Sequence, residues 1–165
     1  MAIFYYTGII GDYGLEEEND SLTRLWFRRS GQEEEDGKVG DFPKGLEIRE
    51  TSLLKEAKGQ LDAYFAGQLK EFSLPLSPKG TDFQRKIWDL LRQIPYGTTC
   101  TYGEVAVMAG NVKASRAVGL ANNRNPLPIF IPCHRVVGAN GSLTGYAGGL
   151  DVKLALLQLE GIWLL

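Results

Sequence analysis

The sequence predicts an α+β protein, with a small antiparallel sheet and one helix in its first part and a mainly helical second part. Three observations carry that expectation. Segments rich in Ile, Phe, Tyr and Thr, punctuated by turn residues, fill the chain up to about Arg28, but from Thr51 onward apolar residues recur at helical spacing. A stretch containing Pro75, Pro78 and Gly80 then interrupts the chain. Charge also divides: residues 1–72 hold 9 basic and 15 acidic side chains, net −6, whereas residues 73–165 hold 9 and 5, net +4. We therefore expect domains over 1–72 and 81–165, joined by a linker over 73–80.

Residues 2–10 are rich in Ile, Phe, Tyr and Thr and read as a strand closed by Gly11. Further strands are expected near Gly14–Glu18 and over Ser21–Arg28, with Gly11-Asp12 and Asn19-Asp20-Ser21 as hairpin turns. Gly31 to Asp41, with Glu33, Glu34, Glu35 and Asp36, reads as a solvated loop. Leu53, Leu54, Ala57, Leu61 and Phe65 then mark a helix that packs on the sheet and stops at Gly67. Gly59 lies inside it and weakens its continuity by about 1 kcal/mol relative to alanine.

In the second part, Thr81 and Gln84 fit a reciprocal capping box. Phe83, Ile87, Leu90, Leu91 and Ile94 form the expected buried stripe of the helix that follows, and Pro95-Tyr96-Gly97 ends it. Thr101 and Glu104 repeat the capping pattern ahead of a short helix from Tyr102 to Ala109, stopped by Gly110. Another helix is expected from about Val112 to Asn123. Two short helices around Ala109-Gly110-Asn111 satisfy the helix-turn-helix pattern, though many helix pairs do so without binding DNA. The second would present Ala114, Ala117, Gly119 and Ala121 around a single cation, Arg116. Such small residues suit a narrow groove better than sequence readout in the major groove.

Composition narrows the class. The chain has 165 residues, 44% apolar and 23% charged, as in soluble globular proteins. No stretch approaches the roughly 18 apolar residues of a membrane span, and the opening Met1-Ala2-Ile3-Phe4-Tyr5-Tyr6 lacks a basic leader. A cytoplasmic location follows as an expectation, or a nuclear one if the source has a nucleus. Cys100 and Cys133 are too few for a disulfide scaffold, and with a single histidine they cannot make an ordinary four-ligand zinc site. No metal or cofactor is expected, and Cys100 reads as structural. The overall charge of −2 argues mildly against nucleic acid, but its division suggests that the positive second part meets DNA and the first supports it.

The chemistry concentrates in Ile131-Pro132-Cys133-His134-Arg135-Val136-Val137, where a thiol adjoins the only histidine. A thiolate is the nucleophile, and a nearby base or stabilising charge raises its population. Adjacent residues in a strand point apart, so Cys133 and His134 need a turn or a bridging water to share a proton; Pro132 favours irregular backbone there. On these residues alone an inert buried cysteine competes with a reactive one.

The order of segments decides between them. Lys113 to Ala121 with Arg116, then Asn125-Pro126, Pro128-Ile129-Phe130, the cysteine heptad, Gly145-Tyr146-Ala147-Gly148-Gly149-Leu150 and a helix ending near Glu160 together resemble the O6-alkylguanine-DNA alkyltransferases, or methylated-DNA-protein-cysteine S-methyltransferases. The resemblance spans residues 78–161, including Thr81, Phe83, Gln84, Trp88 and Pro95-Tyr96-Gly97, and is weaker over the first 70. It implies a ribonuclease-H-like first domain without that fold's metal chemistry and a winged-helix, helix-turn-helix second domain.

The resemblance also implies the function: an alkyl group passes irreversibly from O6-alkylguanine, and from O4-alkylthymine, in duplex DNA to Cys133, once per chain. On that basis His134 takes the thiol proton through a bound water and Glu160 orients the imidazole. Tyr102 donates to the base and crowds the phosphate, while Tyr146 stacks at the pocket wall. Arg116 fills the space of the extruded nucleotide, with Ser115, Ala117 and Gly119 on the same minor-groove-facing helix. Backbone groups near Val136, Ala147 and Gly148 bind the base, and Asn125 holds the turn before the cysteine loop. Some relatives carry serine where this chain has Ala147, so a hydroxyl contact is lost there. The implied partner is double-stranded DNA bearing O6-alkylguanine, met by a monomer away from membranes. Two alternatives differ in chemistry: a DNA-binding protein that recognises alkyl lesions without reacting, which Cys133 argues against, and a thiol hydrolase, which lacks a second histidine.

Overall fold

The computed structural model describes residues 1–28, 46–143, 146 and 149–162. The acidic loop expected at Gly31–Asp41 lies outside them, as do Ala147 and Gly148. The chain forms two compact units, Met1–Ser77 and Pro78–Leu165, of the mixed α and β kind that the sequence predicts.

In the first unit, β1 (Ala2–Gly8), β2 (Gly11–Glu18) and β3 (Ser21–Arg28) make an antiparallel meander. Its second turn holds Asn19 at φ 51° and Asp20 at φ 60°. This left-handed pair suits a two-residue hairpin, whose twist matches its strands. The first strand stops at Gly8, two residues earlier than expected, and Gly11 at φ 102° opens β2. A short β4 (Glu47–Ile48) adds in parallel to β1, giving the order β3-β2-β1-β4. Two residues carry no period, so β4 was not legible in advance.

Helix α1 (Ser52–Phe65) is capped by Thr51, whose hydroxyl accepts from Leu54 N at 3.1 Å. It runs unbroken through Gly59 and buries Leu54, Ala57, Leu61, Tyr64 and Phe65. Residues of the expected linker bond to the sheet: Leu22 N donates to Pro75 O at 2.9 Å, and Ser77 N to Leu22 O at 2.8 Å.

In the second unit, α2 (Asp82–Leu91) begins with the reciprocal Thr81–Gln84 capping box. Its buried residues are Ile87, Trp88 and Leu91, with Ile94 buried just beyond. Phe83, expected in that stripe, is 39% exposed. Trp88 takes the core position instead: its indole folds back over Gly80, where a Cβ would fall 2.4 Å from Cη2, and its Nε1 donates to Ala121 O at 2.8 Å. Next come β5 (Cys100–Thr101) and α3 (Tyr102–Met108), capped by Thr101.

After Gly110 at φ 81° comes α4 (Ser115–Asn123). It starts three residues later than expected because Asn111 first closes a turn, its Oδ1 accepting from Lys113 N and its carbonyl from Ala114 N, both at 3.1 Å. A single 3-10 turn holds Cys133–Arg135, β6 (Val136–Val137) pairs in parallel with β5, and α5 (Leu150–Leu159) completes the unit.

Candidate active site

The thiol sits where a loop anchored by one asparagine enters the 3-10 turn. Asn125 Nδ2 donates to Ile131 O at 2.8 Å, and its Oδ1 accepts from Leu127 N at 3.0 Å. Between them Ile129 is held at φ 75°. A branched side chain there costs about 1–3 kcal/mol, so the surrounding packing has to impose the loop. Asn122, on α4, places Nδ2 3.4 Å from Cys133 O. The helix next to the thiol therefore also touches the loop that carries it.

Cys133 is 3% exposed. Burial pushes its thiol up to about 11, opposed by hydrogen bonding from Asn125, the charge of Lys153, its own backbone and Tyr146. Each of these favours the anion, and burial in apolar surroundings disfavours it.

Behind it lies a buried polar group of three side chains. His134 Nε2 is 2.6 Å from Glu160 Oε2. A carboxylate only accepts, so Nε2 carries the proton and Nδ1 is the basic nitrogen of the neutral ring. Arg135 grips the same carboxylate, with Nε 2.8 Å from Oε1 and Nη2 3.1 Å from Oε2, and its Nη1 donates to Ile94 O at 2.7 Å. Gly97 N donates to Glu160 Oε1 at 3.1 Å. Glu160 caps the end of α5, so helix geometry, Arg135 and the Pro95-Tyr96-Gly97 turn all fix the acceptor of the imidazole. Burial lowers the His134 pKa; Glu160 opposes the shift, while Arg135 and Lys153 reinforce it. The ring rests neutral, ready to receive a proton.

Sequence reasoning missed Arg135 and Lys153. Lys153 lies on α5, fully buried, and its Nζ donates to Val136 O at 2.6 Å. Burial lowers it to about 8, against the pull of Cys133. In an apolar helix a lysine reads as a surface residue; the available signal was its position on the buried stripe with Leu156 and Leu157. Arg135 had no signal beyond adjacency to His134.

The remaining expected residues fall on α3 and α4. Tyr102 opens α3, and its ring lies beside Gly119, where a Cβ would sit 3.8 Å from Cδ1. Arg116 and Ala117 are exposed on α4, and Ser115 and Gly119 half-buried. The β5–β6 ladder pairs Cys100 with Val136 and Thr101 with Val137. It thereby ties the start of α3 to the segment just after the thiol.

A thiol beside a buried base with a fixed orienter, next to a helix-turn-helix, defines a class: a DNA-associated protein with a nucleophilic cysteine. The DNA-binding domain described for 6-O-methylguanine DNA methyltransferase matches residues 82–162, and the ribonuclease-like domain of the same proteins matches residues 6–78. The chain belongs to the 6-O-methylguanine DNA methyltransferase family. It is 49% identical over 162 residues to the constitutive methylated-DNA–protein-cysteine methyltransferase of Bacillus subtilis, covering 96% of each chain. To the Methanosarcina acetivorans methyltransferase it is 61% identical over 114 residues, 69% of this chain and 73% of that protein. Its fold superposes on Mycobacterium tuberculosis OGT, solved in complex with DNA, with a TM-score of 0.86 and 42% identity over 98% of this chain and 93% of that one.

Proposed function

We infer that this protein repairs DNA directly, by moving an alkyl group from O6-alkylguanine in duplex DNA to Cys133. The observation that carries this reading is the buried His134–Glu160 pair, 2.6 Å apart, beside the Cys133 thiol. In-line attack needs sulfur about 3–3.5 Å from the alkyl carbon. A stacked base cannot offer that, so the nucleotide leaves the stack, at a cost of a few kcal/mol. Arg116 on α4 occupies the vacated place; its planar cation can stack on neighbouring bases and bond the orphaned partner.

The thiol proton passes through a water to His134 Nδ1, and the imidazolium is stabilised by Glu160, which Arg135 keeps in place. Sulfur then forms its bond to the alkyl carbon as the carbon–O6 bond breaks. The electrons of that bond leave on guanine, and the proton released by sulfur ends on the base. Tyr102 supplies a donor to the departing ring; Asn125 and Tyr146 stabilise the thiolate beforehand. Backbone groups around Val136, Ala147 and Gly148 hold the base, and Ser115, Ala117 and Gly119 let α4 approach the minor groove. O4-alkylthymine offers the same ether geometry and is a second substrate. The chain works as a monomer in the cytoplasm, away from membranes; among the described residues no helix is long and apolar enough to cross one.

Mass spectrometry after mixing with an O6-methylguanine duplex tests this. One methyl per chain on the peptide containing Cys133 is expected, and none in Cys133→Ala, which should still bind DNA. An unmodified chain would favour lesion recognition without chemistry, and a transient acyl adduct would favour hydrolysis.

A further inference from the structure

The outward side of α4 is not uniformly small. Arg116, Ala117, Leu120 and Asn123 are exposed along it at helical spacing, while Val118, Ala121 and Asn122 are buried. The helix cannot roll to hide Leu120, because Trp88 Nε1 holds Ala121 O at 2.8 Å and Asn122 reaches Cys133 O at 3.4 Å. Leu120 therefore stands 62% exposed, one turn from Arg116 and beside Ala117 and Gly119, which project little. Single exposed apolar residues are common. This one shares its stripe with the cation read as entering the duplex.

We propose that Leu120 sets a sequence preference for repair, pressing on the minor-groove floor beside the lesion and disfavouring G·C pairs there. The proposal rests on the reading of α4 as the helix that enters that groove. With α4 lying along the groove, one helical turn advances about 5.4 Å and one stacked base about 3.4 Å, so Leu120 meets a pair one or two steps from the nucleotide that Arg116 replaces. In the minor groove an A·T pair shows only acceptors, whereas G·C adds the guanine amino donor. A hydrocarbon against that floor strips water from the amino group and returns no hydrogen bond, leaving a donor unsatisfied. The amino group also occupies space that the leucine needs. Ala117 and Gly119 are too short to discriminate in this way.

The test is single-turnover methyl transfer from duplexes whose two pairs on each side of O6-methylguanine are A·T, G·C or inosine·C. Inosine lacks only the amino group. The wild-type protein should react at similar rates with the A·T and inosine duplexes and about fivefold or more slowly with G·C. In Leu120→Ala that ratio should fall close to one. The ratio is taken within each protein, so a general loss of DNA affinity cancels. Equal wild-type rates on all three duplexes overturn the proposal. So does a ratio that survives in Leu120→Ala, which would place the difference in the stability of the duplex itself. No transfer to Cys133 from any duplex would instead remove the functional reading beneath it.

Discussion

At the scale of single residues, the site balances two buried cations against one carboxylate. Arg135 neutralises Glu160, which leaves Lys153 as the positive charge available to a forming thiolate. It lowers both the Cys133 and His134 pKa values, so Lys153→Met should raise both. On the proposed mechanism neutral His134 is the active base, and burial keeps its ring neutral below the ordinary imidazole value in the wild-type protein. The acid limb of the pH–rate profile with free O6-benzylguanine should therefore lie below about 6.5 and move upward in the variant. At neutral pH the thiolate fraction should fall about tenfold for each unit the thiol rises, and the rate about threefold, because the more basic thiolate is also the stronger nucleophile. A slower variant with an unmoved profile would limit Lys153 to holding the Val136 carbonyl.

Glu160→Gln tests the other cation. It leaves Arg135 buried beside a neutral amide, and losing one partner of a buried pair costs about 3–5 kcal/mol. Denaturant unfolding should show that loss together with slow transfer. An unchanged midpoint would mean that Arg135 finds compensation elsewhere.

At the scale of elements, the second unit is organised by α2 gripping α4 through one indole. Trp88 is fixed by its bond to Ala121 O, so its ring cannot swing away from Gly80 cheaply. A Cβ at Gly80 would lie 2.4 Å from that ring. Overpacking of this kind costs about 1–3 kcal/mol, so Gly80→Ala should lower the unfolding midpoint of the second unit. A variant as stable as the wild type would show that the ring is not locked.

Periodicity made α1 legible, and the capping chemistry of Thr81 and Thr101 made α2 and α3 legible, because tertiary contacts did not override these local signals. The start of α4 was misplaced: Ala114 offers no capping oxygen, and Asn111 diverts the backbone first. Phe83 was misassigned because helical spacing cannot say which of two neighbouring aromatic residues meets the core. Cys133 and His134 stood out by their adjacency, and Glu160 entered through the resemblance that the order of segments carries. Arg135 and Lys153 were not, since nothing local distinguishes a buried cation from a solvated one. Their burial depends on partners 25 and 17 residues away.

At the scale of the whole molecule, the chemistry consumes the protein that performs it. A thioether is a poor electrophile, and among the described residues no group in the site offers a route to remove the alkyl, so each chain acts once. The product is also a worse fit. Cys133 is nearly inaccessible, and Asn125 and Tyr146 are arranged to stabilise an anion that the thioether no longer presents. An added methyl must displace atoms in packed surroundings, at about 1–3 kcal/mol, and α4 touches the Cys133 carbonyl through Asn122. In a chain of this size each kcal/mol moves the melting temperature by about 2–4 °C. Calorimetry of the fully methylated protein should therefore show a melting temperature lower by roughly 2–12 °C. An equal or higher value would mean that the site holds a vacant methyl-sized space against the sulfur, and that the spent form is as stable as the one that reacts.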